Sequence, residues 1–117
     1  LEPDARRAAI QDARDRLLLE FYQSGRGRLS YAEAEHIGCR EVDAVAWYLA
    51  DKDYLFGDKP SSVDAAIYSF FANLIYTPFP SGVKDHTNSQ TNLVTYMDRM
   101  SSTYYPELGD ARREYVE

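Results

Sequence analysis

Between Pro60 and Pro78 the chain carries a segment that suits only a helix inside a packed domain. Proline cannot continue the helical hydrogen-bond ladder, so the segment starts after Pro60 and stops at the Thr77-Pro78 pair. Ser61 and Asp64 have the Ser-x-x-Asp spacing in which a hydroxyl caps one free backbone N–H and a carboxylate reaches back to another. Asp is shorter than the usual Glu or Gln, which makes this a variant capping box. Behind it Val63, Ala66, Ile67, Phe70, Phe71, Leu74 and Ile75 leave Asp64, Ser69 and Asn73 as the clearly polar interior positions. A helix apolar on nearly every side is the central helix of a domain. A buried central helix is therefore expected over about residues 62–76.

The flanking sequence supplies partners for it. Pro3 suits the first turn of a helix running to about Gln23, with Ile10, Ala13, Leu17, Leu18, Phe21 and Tyr22 at three- and four-residue steps. Ser24-Gly25-Arg26-Gly27 ends it. Ser30-Tyr31-Ala32-Glu33 is a full capping box, opening a second helix to about Ala50 whose buried face is Ala34, Ile37, Val42, Val45, Ala46 and Leu49. Residues 78–92 are rich in turn formers, with a short helix around Val83 to Thr87. A further helix covers Leu93 to about Tyr104 through Leu93, Tyr96, Met97 and Met100, and Pro106 breaks it. Ala111 to Val116 adds a frayed helical tail. No alternating run is bounded by turn signals, so the fold class is all-α, a helical bundle in one domain over 1–117.

Composition narrows the function classes. A net charge of −6 argues against nucleic acid as partner, because phosphate binding needs a basic face. No apolar run approaches the roughly 20 residues of a transmembrane helix. A single cysteine, Cys39, rules out an internal disulfide and suits the reducing cytosol, so a cytoplasmic location is expected.

Residue by residue, no chemistry stands out. Glu33-x-x-His36 matches half of a carboxylate-bridged di-metal site, but the other histidine, His86, lacks that spacing and Glu33 is accounted for as a cap. Cys39 sits mid-helix, one turn after Glu35 and just before Arg40, away from the helix start that favours a nucleophilic thiolate, and reads as a structural cysteine. The Arg26-Gly27-Arg28 loop reads as an inter-helix turn with solvated arginines. The ten tyrosines suit the edges of a small helical core. Ser61, Asp64, Ser30 and Glu33 are thus assigned to capping, with no catalytic residue, no metal site and no assigned cofactor-binding residue.

Gly57-Asp58-Lys59-Pro60-Ser61-Ser62-Val63-Asp64-Ala65 also resembles the Gly-x-x-Pro-[Ser/Thr]-x-x-Asp start of the core helix in the C-terminal domain of glutathione transferases. Gly25-Arg26-Gly27-Arg28-Leu29-Ser30 resembles a Gly-x-Gly-Arg-His-Ser loop, with Leu29 in place of the His. Ala50 to Asp58 resembles the Leu-Gly-Asp-Lys-Pro-Phe-Leu-Phe-Gly-Asp run before that helix. Asn92-Leu93-Val94-x-Tyr96 with Tyr104-Tyr105-Pro106-Glu107 resembles the closing element. In combination, over about Gly25 to Leu108, these are typical of bacterial relatives of the failed-axon-connections and metaxin group.

The resemblance implies an incomplete, C-terminal part of a two-domain parent. In such proteins a thioredoxin-like N-terminal domain binds glutathione, and the helical domain adds a wall for the electrophile. That N-terminal domain and a second copy, as a homodimer, are the implied partners. Glutathione is then a substrate of the parent, and this chain by itself holds no cofactor and is not catalytic. The second reading is a non-catalytic metaxin-like interaction module, and a third is an independent ligand-binding bundle.

Overall fold

The computed structural model describes residues 2–108. Among them five α-helices follow in order: α1 (Pro3–Gln23), α2 (Tyr31–Leu49), α3 (Ser62–Ile75), α4 (Gly82–Ser89) and α5 (Thr91–Tyr104). Short 3-10 turns occupy Arg26–Arg28 and Pro106–Leu108. Among the described residues the sole strand-like pairing is an isolated bridge between Tyr54 and Gly57. The expected tail helix over Ala111 to Val116 lies outside the described residues. The chain divides into two compact units, Leu1–His36 and Ile37–Glu117, with α2 running through the boundary.

In the first unit α1 begins with Pro3 at its first turn, where a missing N–H costs nothing. The expected apolar stripe does not form a buried face: Ile10, Leu17, Leu18, Phe21 and Tyr22 are all exposed, and α1 holds no buried residue. The physical reason is in the spacing. Leu17, Leu18 and Leu19 are consecutive, so at 100° per residue they spread over about 200° of the helix surface instead of lining one narrow side. Charge gathers towards the start of α1 and apolar surface in its last two turns. Gly25, at φ 84°, then turns the chain in the left-handed region that glycine tolerates. The following turn folds back on the helix end: a Cβ on Gly27 would sit 2.9 Å from the Phe21 carbonyl carbon and the Tyr22 nitrogen. Arg28 donates from Nε to the Tyr22 carbonyl at 3.1 Å and lays its guanidinium 4.5 Å over the Tyr22 ring.

The second unit holds the core. Val42, Ala46 and Leu49 of α2 meet Tyr68, Phe71 and Ile75 of α3 and Leu93, Tyr96, Met97 and Met100 of α5, with Leu55 from the intervening loop. All four apolar residues assigned to α5 from its periodicity are buried. On α2 the burial is shorter than its sequence suggested: Ala34 and Ile37 are exposed. The central helix buries the stripe 64, 68, 71 and 75, whereas Phe70 is 60% exposed and Val63 and Ala66 also face solvent. The residue that looked most polar on this helix, Asp64, is its least exposed, at 0%.

Two polar devices tie the helices of this unit. Asn92 donates from Nδ2 to the carbonyls of Ala46 and Ala50 at 2.8 and 3.0 Å at the end of α2, where the Ala46 carbonyl also accepts the Ala50 N–H, while its Oδ1 accepts the Leu93 N–H. Ser101 Oγ meets the hydroxyls of Tyr68 and Tyr76 at 2.9 and 3.3 Å. The Tyr68 ring also stacks on Tyr105, centroids 4.9 Å apart and 3° from parallel.

Candidate functional site

The start of α3 is the most organised polar site in the second unit. The Asp64 carboxylate accepts from the Leu55 N–H at 3.0 Å and the Tyr96 hydroxyl at 2.9 Å through Oδ1. Through Oδ2 it accepts from the Ser61 N–H at 2.8 Å and the Ser61 hydroxyl at 3.2 Å. Four donors on one ion explain how a charge sits at 0% exposure, since a buried carboxylate survives only when its lone pairs are filled. Burial pushes the Asp64 carboxyl up, but the Leu55 and Ser61 N–H groups with the Tyr96 and Ser61 hydroxyls outweigh it and hold it below its ordinary value. The same pairing acts oppositely on the phenol: burial and the Asp64 carboxylate both push Tyr96 up. With its lone pairs engaged, this carboxylate anchors the loop, α3 and α5 to one another.

The other residues singled out from sequence lie apart from it. Ser30 and Glu33 form a reciprocal box at the start of α2, with Ser30 N–H to Glu33 Oε2 at 2.7 Å and Glu33 N–H to Ser30 Oγ at 3.1 Å. Those bonds hold the Glu33 carboxyl below its ordinary value. Cys39 is half-buried on α2 with a free thiol. His86 belongs to α4, the expected short helix, and its Nε2 stands 2.6 Å from Asp43 Oδ1 on α2, with Gln90 Nε2 3.4 Å from the same oxygen. The Asp43–His86 pair escaped sequence reasoning because its partners are 43 residues apart. Among the described residues no three His, Cys, Asp or Glu side chains converge as metal ligands.

A second feature, also absent from the sequence reading, is an apolar cleft of about 250 Å³ shared by α2, α3 and α4. Val42 and Phe71, both almost fully buried, line it together with Ile67 and Phe70 of α3 and Val83 of α4, and the exposed Glu41 of α2 borders it. Gly38 lets α4 close in: a Cβ there would stand 2.9 Å from Val83 Cγ2. The cleft offers apolar contact and one negative charge. It contains no nucleophile.

Residues 38–100 match the family described as glutathione S-transferase, C-terminal domain. The isoprene-epoxide–glutathione S-transferase of Rhodococcus sp. (strain AD45) is 30% identical over 98 residues, covering 84% of this chain and 41% of that protein. Metaxin-1 of Mus musculus is 35% identical over 113 residues, covering 79% of this chain and 36% of its own length. Metaxin-3 of Danio rerio is 29% identical over 84 residues, 71% of this chain and 26% of the relative. The chain thus spans about a quarter to two-fifths of the length of these relatives. No solved structure matches it.

Proposed function

Because the chain belongs to the glutathione S-transferase C-terminal domain family, we propose that it is the helical part of a two-domain protein that conjugates glutathione to an electrophile. The observation that carries this reading is the alignment of 84% of the chain with a bacterial glutathione S-transferase. Thiolate formation needs positioned donors near the sulfur. Here the best-organised donors point inward to Asp64, so the activating group is assigned to a thioredoxin-like N-terminal domain and the helical chain contributes apolar walls. A homodimer in the cytosol suits this reading. No described helix is long and apolar enough to cross a membrane, and the negative charge disfavours nucleic acid.

A non-catalytic, metaxin-like interaction module is the second reading. It draws on the metaxin alignments and on large aromatic side chains left exposed, Trp47 at 82%, Phe79 at 74% and Phe56 at 64%. Expression of the whole reading frame, followed by glutathione titration and conjugation of a generic electrophile, separates the two. Saturable glutathione binding with turnover is expected. A folded two-domain protein that binds no glutathione would overturn the enzyme reading and leave the interaction module.

A further inference from the structure

We propose that the apolar cleft on α2, α3 and α4 is a binding site for a compact organic cation, an ammonium group carried on a small aromatic or branched-alkyl body. Size comes from the volume. A dry cavity of about 150 Å³ accommodates benzene, six heavy atoms, so at the same density the 250 Å³ cleft holds about ten. The body of the ligand meets hydrocarbon throughout, from Val42, Ile67, Phe71 and Val83.

The sign of the charge comes from what surrounds that hydrocarbon. Glu41 is exposed at the edge of the cleft and has no ion-pair or hydrogen-bond partner among the described residues. Neither neighbouring cation lines the cleft: Lys84 Nζ donates to the Thr77 carbonyl at 2.6 Å, and Arg40 lines a second depression, which Glu41 borders as well, with Ile37 and Ala44. Phe70 and Phe71, edge to face at 5.5 Å, add aromatic rings whose negative faces attract an ammonium. An anionic ligand finds no donor in the cleft.

The walls are fixed before a ligand arrives. On the α4 side, the Asp43–His86 bond and the Lys84–Thr77 bond clamp the helix at two points, and contact at Gly38 sets how near Val83 approaches. A preformed pocket avoids the ordering cost that weakens small ligands. The site is independent of the conjugation reading, and its test uses neither glutathione nor an electrophile.

The full 117-residue chain, labelled at its Val and Ile methyl groups, is titrated by NMR with phenethylamine, 2-phenylethanol and phenylacetate. Saturable shifts confined to Val42, Val45, Ile67 and Val83 are expected with phenethylamine, which binds about two- to fivefold tighter than the alcohol, the range of an exposed ion pair. Phenylacetate binds weakest. Glu41→Gln removes the preference for the amine and leaves the alcohol unchanged. Val45→Phe, which fills the cleft, abolishes the shifts with both ligands. Unresponsive methyls, equal binding of the acid and the amine, a preference that survives Glu41→Gln, or concentration-dependent shifts without ligand that reveal a second copy in the cleft would each overturn the proposal.

Discussion

Truncating Asp64 to alanine should be the most damaging single change in the second unit, and the hydrogen-bond geometry sets the size. The substitution strands the Leu55 N–H, on a residue 4% exposed, and leaves the Tyr96 hydroxyl, on a residue 1% exposed, only its longer 3.3 Å bond to the Asp64 main-chain carbonyl. Each orphaned buried donor costs about 1–3 kcal/mol. Ser61 is half-exposed and recovers part of its bonding from water, so its lost cap adds about 0.5–2 kcal/mol. A loss of about 2–5 kcal/mol follows, a large part of the roughly 5–15 kcal/mol that holds a domain folded. Urea unfolding followed by circular dichroism reads it as a lower midpoint at unchanged slope. Tyr96→Phe alone should cost about 1 kcal/mol. Combined with Asp64→Ala it should cost less than the sum by about 0.5–1 kcal/mol, because the carboxylate bond lost in both single variants is counted once. The sign with pH is fixed too. The folded Asp64 carboxyl titrates below its unfolded value of 3.8, so its contribution is complete above about pH 4 and drains away as pH falls through the lower folded value. Asp64→Asn should flatten that acid limb. An Asp64→Ala loss below about 1 kcal/mol, or a strictly additive pair, would refute the anchoring argument.

Other substitutions test the remaining joints by the same unfolding measurement. Ala50 ends α2 at φ 50°, a left-handed conformation that a Cβ opposes, so Ala50→Gly should stabilise by about 0.5–1 kcal/mol. Asn92→Ala leaves the Ala46 carbonyl with the Ala50 N–H alone and the exposed Ala50 carbonyl to water, and should cost about 0.5–1.5 kcal/mol, with Asn92→Asp recovering little because the donor is still missing. Gly38→Ala gains about 0.5–1 kcal/mol of helix propensity but collides with Val83, so we expect a net loss that Val83→Ala relieves.

What the sequence disclosed and what it withheld divide along chain distance. Helix limits came through because their signals are local: Pro3 sits at the first turn of α1, Ser61 precedes α3, and Tyr104 closes α5. The buried face of α5 came through because its apolar residues repeat at helical spacing, whereas the consecutive leucines of α1 defeat any single-face reading. On α3, hydropathy ranked Phe70 as core and Asp64 as polar, and burial reversed both. Tertiary donors decide that inversion: Leu55 and Tyr96 lie 9 and 32 residues from Asp64, beyond any spacing rule. The cleft was invisible for the same reason, since its walls come from three helices and Glu41 carries no motif. Family resemblance, carried by contiguous runs, was legible because it needs no tertiary knowledge.

The Asp64 anchor has a kinetic consequence. Leu55 lies in a loop, where amides ordinarily exchange with solvent through small local openings. Its N–H is instead spent on a carboxylate that also grips the start of α3 and the middle of α5, so releasing it means parting all three at once. The Leu55 amide should therefore exchange with deuterium as slowly as those of the core helices, on the schedule of cooperative unfolding. A connecting segment would then keep time with the interior it encloses.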